Sequence, residues 1–233
     1  LCTFLRGSMI PERDILYYLF HGARGYETSW VTKGSILQIT DSLFREGLAE
    51  PCIVVMTNMN QYRDDKDYDG SRYKSMVESV LEIDGAVESS FMNDVVSYVD
   101  SHYNTIDSKE MRAVAGLSLG GLQSMNISAN NPRSFAYVGL FSPVCGVIRK
   151  PGPYSSFYRA RRKKQSVQFS EEEMPLGYYV YVGTKDVVYP QVKMYRKYLD
   201  RKGYPYEFTL TDGNHDWPYW KAYYIDMLQR IFR

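Results

Sequence analysis

Apolar residues fall along this chain in two alternating rhythms. Short apolar runs rich in β-branched and aromatic residues are Ile15 to Phe20, Cys52 to Thr57, Met111 to Leu117, Tyr137 to Phe141, Tyr178 to Val182 and Tyr206 to Leu210, the last of them interrupted by Glu207 and Thr209. Such runs predict strands buried on both faces. Longer stretches with helical spacing separate them. Phe91 to Tyr103 places Phe91, Val95, Tyr98, Val99 and His102 on one face. Leu119 to Asn130 follows a strand through a glycine turn, and Tyr189 to Lys202 closes at Gly203, as a helix end commonly does. Pro218 to Phe232 also carries helical spacing and predicts a last helix. Strands and helices in alternation predict an α/β fold, a mostly parallel central sheet with helices on both faces. Two stretches fit neither rhythm: Asn58 to Glu82, polar with many tyrosines and aspartates, and Gly146 to Pro175, with prolines, a basic run and an acidic run. They read as loops or insertions, the second an insertion over 146–175 beside the site, because ligands of open sheets sit beyond the carboxyl ends of the strands.

Composition narrows the classes. A chain of 233 residues with 44% hydrophobic content is long enough for one substantial core, so a single domain over 1–233 is expected. Lysine and arginine number 28 against 27 acidic residues, which leaves no long-range field to draw nucleic acid or anionic lipid. Cys2, Cys52 and Cys145 lack the spacing of a disulfide framework or a zinc site and read as ordinary buried thiols. No apolar run reaches the length of a membrane span, and the first residues lack the basic start and apolar stretch of a signal peptide. The sequence begins at Leu1 rather than methionine, and localisation stays open.

Candidate chemistry concentrates at strand ends. Gly116-Leu117-Ser118-Leu119-Gly120-Gly121 directly follows one predicted strand and opens a predicted helix. This is the context of a nucleophile elbow, where glycines let a strained turn present the serine hydroxyl. The backbone N–H of Leu119, at the helix amino terminus, is then aimed at a developing oxyanion. A serine nucleophile needs a base, and there are three histidines. His215 lies in the polar loop between the last strand and last helix, where that base belongs. His102 sits on a helix face and reads as structural. His21 ends the first apolar strand in a His-Gly turn of the kind that supplies a second oxyanion N–H, assigned here to Ala23. The base is oriented by a carboxylate lying between serine and histidine in the chain: Asp186, in the turn after Tyr178 to Val182, with Asp212 as second choice.

Together these segments resemble the esterases related to esterase D, which include tributyrin, feruloyl, acetylxylan and siderophore esterases and S-formylglutathione hydrolases. The resemblance runs through Leu16 to Gly22 with Trp30, Ala115 to Gly121, Gly183 to Asp186 and Gly213 to Trp220, and so spans most of the chain. It implies the α/β-hydrolase fold, a triad of Ser118, Asp186 and His215, and an oxyanion hole from the N–H groups of Ala23 and Leu119, with neither cofactor nor metal. Two departures are visible: Ala-Arg follows His21-Gly22 where glycines are usual, and Leu119 stands where methionine is common. The family's first antiparallel strands are not evident in Leu1 to Arg13.

The expected reaction is hydrolysis of short-chain or carbohydrate-linked acetyl or feruloyl esters through an acyl-enzyme. Acyl transfer to another alcohol on the same triad, or a non-catalytic binding protein with this fold, are the alternatives. Trp30, Tyr189 and Trp217 are candidates for an aromatic substrate pocket, while the run Arg159 to Lys164 reads as a solvated face paired with Glu171 to Glu173. The partner expected is a small-molecule or carbohydrate ester, not nucleic acid or membrane; homo-oligomerisation stays open.

Overall fold

A computed structural model describes residues 2–6 (backbone only), 14–59, 86–145 (Ala86 by its backbone alone) and 173–233. Seven strands, β1 (Cys2–Arg6), β2 (Ile15–Phe20), β3 (Cys52–Thr57), β4 (Arg112–Leu117), β5 (Tyr137–Phe141), β6 (Gly177–Gly183) and β7 (Glu207–Thr211), form one sheet in the order β1-β3-β2-β4-β5-β6-β7. Only β1 runs antiparallel, pairing Cys2 with Thr57 and Arg6 with Ile53. All other neighbours are parallel. The edge strand that the sequence did not reveal is therefore present. Its five residues gain their ladder from β3, a tertiary partner that local pattern does not contain.

The helices are α1 (Ser29–Thr32), α2 (Ile36–Arg45), α3 (Ala86–Ser90 continuing through Phe91–Val96 and Ser97–His102), α4 (Leu119–Asn130), α5 (Tyr189–Lys202) and α6 (Trp217–Leu228). Alternate residues of each strand feed two separate cores. Leu16, Tyr18 and Phe20 pack with α3, α4 and α5 on one face. Tyr17 and Leu19 pack with α2 and α6 on the other. All five of these β2 residues are fully buried, as the interior of a doubly covered sheet requires.

Tyrosine supplies much of the second core because its hydroxyls find partners there. Tyr224 stacks on Tyr17 at 5.6 Å and shares a 2.8 Å hydrogen bond with Thr40. Cys52 and Cys145 are free and buried.

The α3 face departs from its expected register. Phe91, Val96 and Val99 are buried, whereas Tyr98 is 50% exposed and His102 also faces water. The cause is a π-helical stretch over Phe91–Val96: its wider turn moves the inward positions from i+4 to i+5, so Val96 replaces Val95 beneath Phe91. The proposed loop 58–82 and insertion 146–175 fall almost entirely outside the described residues, as does the Arg159 to Lys164 run. Helices α1 and α2 were not anticipated from the sequence.

Candidate active site

The parallel strands β2, β4, β6 and β7 lead directly into the turns that carry His21, Ser118, Asp186 and His215. Ser118 follows β4 directly and opens α4, with φ 54° and ψ −111°. This strained conformation turns its hydroxyl out of the strand direction. Backbone bonds hold the turn: Ser118 N–H donates to Phe141 O at 2.8 Å, and Val144 N–H donates to Ser118 O at 3.0 Å. The flanking glycines are required by crowding. A Cβ on Gly116 would lie 2.5 Å from the Gly120 backbone, and one on Gly120 would lie 2.4 Å from His21 O.

His215 reaches the serine because β6 and β7 stay paired beyond their strand ends. Thr184 N–H donates to Thr211 O at 2.8 Å and Lys185 N–H donates to Gly213 O at 3.0 Å. Gly183 admits this approach, since a Cβ there would stand 2.0 Å from Gly213 O. The turn after β6 thus lies against the loop after β7. His215 Nε2 is 2.9 Å from Ser118 Oγ, and His215 Nδ1 is 2.9 Å from Asp186 Oδ1. A carboxylate only accepts, so the proton sits on Nδ1 and leaves Nε2 free to accept from the serine hydroxyl.

Asp186 is fully buried in its side chain while His215 is 23% exposed. Burial alone would raise the Asp186 carboxyl. Hydrogen bonds from His215 Nδ1–H and the Val188 N–H, together with the nearby Ser142 hydroxyl, outweigh it and hold the group below the usual carboxylate value. Asp212 and Asp216, the sequence neighbours of His215, are exposed.

The turn after β2 borders the serine. Gly22 lies close enough that an added Cβ would stand 3.3 Å from Ser118 Cβ. Gly25 N–H bonds to Gly22 O at 3.0 Å, closing a turn in which Arg24 takes φ 60°. Arginine therefore occupies the left-handed position that glycine would fill without strain. Among the described residues, the N–H groups of Ala23 and Leu119 donate to no protein acceptor. His21, buried behind this turn, has both ring nitrogens committed: Nδ1–H donates to Gly22 O at 2.7 Å and Nε2 accepts from Met59 N–H at 3.0 Å. Burial lowers its pKa, the bond to Gly22 offsetting part of that effect.

The aromatic candidates separate on inspection. Trp30 is 1% exposed and donates its indole N–H to Phe20 O at 3.1 Å, so the expectation that it lines a substrate pocket is corrected: it is a core residue. Its ring packs against Phe141 at 6.3 Å and Tyr224 at 5.8 Å within the core that α2 and α6 cover. Trp217 is half-buried, edge-on to Trp30 at 5.2 Å and to Trp220 at 5.4 Å. Trp220 in turn packs edge-on against the His215 ring at 5.0 Å. Tyr189 is half-buried at the first turn of α5, its N–H bonded to Asp186 O. Ser142, beside Asp186, was not singled out from the sequence, although a polar residue directly after a buried strand was a signal available there. Among the described residues, no cluster of three or more His, Cys, Asp or Glu could hold a metal ion. No described helix is long and apolar enough to cross a membrane.

Comparison with known proteins adds to this geometry. The family model described as “Putative esterase” matches residues 13–231. An endo-1,4-beta-xylanase/feruloyl esterase of Xylanibacter ruminicola is 27% identical over 225 residues, 95% of this chain and 27% of that protein. The uncharacterized protein YjcH of Bacillus subtilis is 23% identical over 151 residues, 60% of this chain and 57% of that protein. The chain thus spans about a quarter and somewhat over half of these two relatives. Among solved structures, a CE1 ferulic acid esterase of Anaeromyces mucronatus in complex with ferulic acid superposes with a TM-score of 0.74 at 22% identity, covering 99% of this chain and 84% of that one. At that identity the likeness establishes the α/β-hydrolase fold.

Proposed function

The chain belongs to the “Putative esterase” family, and from that premise we propose that it is an ester hydrolase, cleaving acyl esters through a covalent intermediate on Ser118, with His215 as general base and Asp186 as the residue that orients it. One observation carries this reading: the unbroken hydrogen-bonded line from Ser118 Oγ through His215 to Asp186 Oδ1, both links 2.9 Å, at a strained turn.

In the first half-reaction, Ser118 Oγ bonds to the ester carbonyl carbon while His215 Nε2 takes its proton. The carbonyl π electrons move to oxygen, and the Leu119 and Ala23 N–H groups receive the charge. Each such donor contributes roughly 3 kcal/mol to lowering the barrier. The imidazolium formed meets the buried Asp186 carboxylate at Nδ1. Collapse breaks the ester C–O bond, and His215 returns the proton to the departing alcohol. Water then attacks the acyl-enzyme by the same steps, with His215 again taking the proton and Ser118 leaving.

For the substrate we favour a carbohydrate-linked or short-chain acyl ester, feruloyl or acetyl. Similarity along 95% of the chain to a protein named endo-1,4-beta-xylanase/feruloyl esterase supports this. The half-buried aromatic rings of Trp217 and Tyr189 are suited to border an aryl acyl group.

The test is hydrolysis of p-nitrophenyl acetate, p-nitrophenyl butyrate and methyl ferulate by the wild type and Ser118→Ala. Loss of kcat by about 10⁴ or more in the variant is expected, and the ranking of the three esters assigns the acyl preference. Unchanged activity in Ser118→Ala rejects the site.

A further inference from the structure

Ser142, the residue immediately after β5, has φ 47° and is wholly buried. A serine held in the left-handed region is strained where glycine would be relaxed, so the side chain must return something for the strain. Its backbone spans the site. Ser142 N–H donates to Tyr181 O at 2.8 Å, on the strand that leads to Asp186, while the preceding Phe141 O receives the Ser118 N–H. The residue is thus fixed between the nucleophile turn and the acid turn.

The side-chain chemistry is complementary. Asp186 Oδ1 already accepts from His215 Nδ1 and from Val188 N–H at 2.9 Å each. Among the described residues, Asp186 Oδ2 is buried without a hydrogen-bond partner, and so is Ser142 Oγ. One group can only accept and the other carries a rotatable proton. The hydroxyl also lies near enough to contribute to lowering the carboxyl pKa.

We propose that Ser142 is a positioning residue of this site, its Oγ–H donating to Asp186 Oδ2 so that Oδ1 stays turned toward His215. The proposal rests on the triad reading above. Without that donor, a charged oxygen is left buried and unsatisfied, and rotation of the carboxylate toward other donors takes Oδ1 away from the imidazole. Ser142 acts through Asp186 and touches neither the substrate nor the reacting atoms.

The experiment compares wild type, Ser142→Ala, Ser142→Gly and Ser118→Ala by kcat and KM on p-nitrophenyl acetate, by thermal midpoint, and by the far-downfield proton resonance of His215 Nδ1–H. Both Ser142 variants are expected to lose about tenfold in kcat, keep KM within about twofold, and shift that resonance. Glycine, which relaxes the backbone, should be at least as stable as alanine and yet no more active. A Ser142→Gly enzyme with wild-type kcat and an unmoved resonance overturns the proposal, and this variant decides the matter even if alanine fails to fold. Wild-type activity that survives in Ser118→Ala overturns the triad reading itself, a result distinct from a Ser118-dependent activity indifferent to Ser142.

Discussion

His21 illustrates how a single buried ring ties local chemistry to pH. With Nδ1 donating to Gly22 O and Nε2 accepting from Met59 N–H, the folded chain requires the neutral ring, and protonation removes the acceptor. Burial lowers the folded-state pKa below the ordinary histidine value, while the unfolded chain titrates near about 6.5. The stability contributed is therefore fully present above about pH 6.5 and declines as pH falls toward the folded-state value, by at most about 1.4 kcal/mol per pH unit. Denaturant midpoints at pH 7.5, 6.5 and 5.5 should show a shallower decline in His21→Gln, whose amide can donate and accept but does not titrate. Equal slopes in the two proteins would exclude His21 as the source. Asp186 acts lower on the scale. Its depressed pKa contributes stability above the usual carboxylate range that is lost as pH drops through the folded value, so the two effects occupy separate windows.

Among the elements, the β6 and β7 ends decide whether His215 and Asp186 meet. Asp186 and His215 are 29 residues apart, and the pairing of Thr184 and Lys185 with Thr211 and Gly213 closes that distance. Gly183→Ala puts a methyl group 2.0 Å from the Gly213 carbonyl oxygen, so the loop after β7 must move. Displacement by an ångström at a reacting group costs about 100-fold. The expected outcome is a loss of at least about 100-fold in kcat/KM with the far-UV circular dichroism retained, and a fully active variant would show that the loop does not need this approach. The π-helical stretch of α3 acts at the same scale. It changes which residues face β2 without changing what the helix is for, namely covering Tyr18 and Phe20, against which Phe91 packs edge-on at 5.2 and 5.0 Å.

For the whole molecule, one continuous sheet with a core on each face argues for a single cooperative unit, which we propose for the chain. The tryptophans provide a direct check because all three gather in one place, Trp30 against Trp217 and Trp217 against Trp220 beside His215. Their fluorescence reports the region under the site, whereas far-UV circular dichroism reports the helices and sheet at large. The two probes should give coincident urea transitions. An earlier fluorescence transition would instead mark the His215 loop and α1 as a unit that opens by itself.

Much of this was legible along the chain. Five of the six parallel strands are near-continuous apolar runs, as burial on both faces requires, whereas the edge strand β7 alternates apolar and polar residues and stays partly exposed. The elbow was legible through its motif between a strand and a helix: Gly116 is demanded locally, by crowding against Gly120 in the next element, whereas Gly120 is demanded by the approach of Phe20 and His21 at the end of β2. The pairing of Asp186 with His215 was also within reach, since an aspartate in a short turn after a strand is positioned by chain order. What the sequence by itself determined, then, was the set of elements and the residues offered at their ends, because both follow from short-range geometry and from the period of burial.

Only the tertiary structure decided which of those residues meet. β1 became a strand through its ladder with β3, and the inward face of α3 was set by a π turn. Trp30 proved to be core rather than pocket because packing, not sequence proximity to the site, fixes where an aromatic ring points. Ser142 acquired its place beside Asp186 from the parallel pairing of β5 with β6. A contact across neighbouring strands depends on register and on backbone conformation at the strand end, and neither is encoded in the residues next to it.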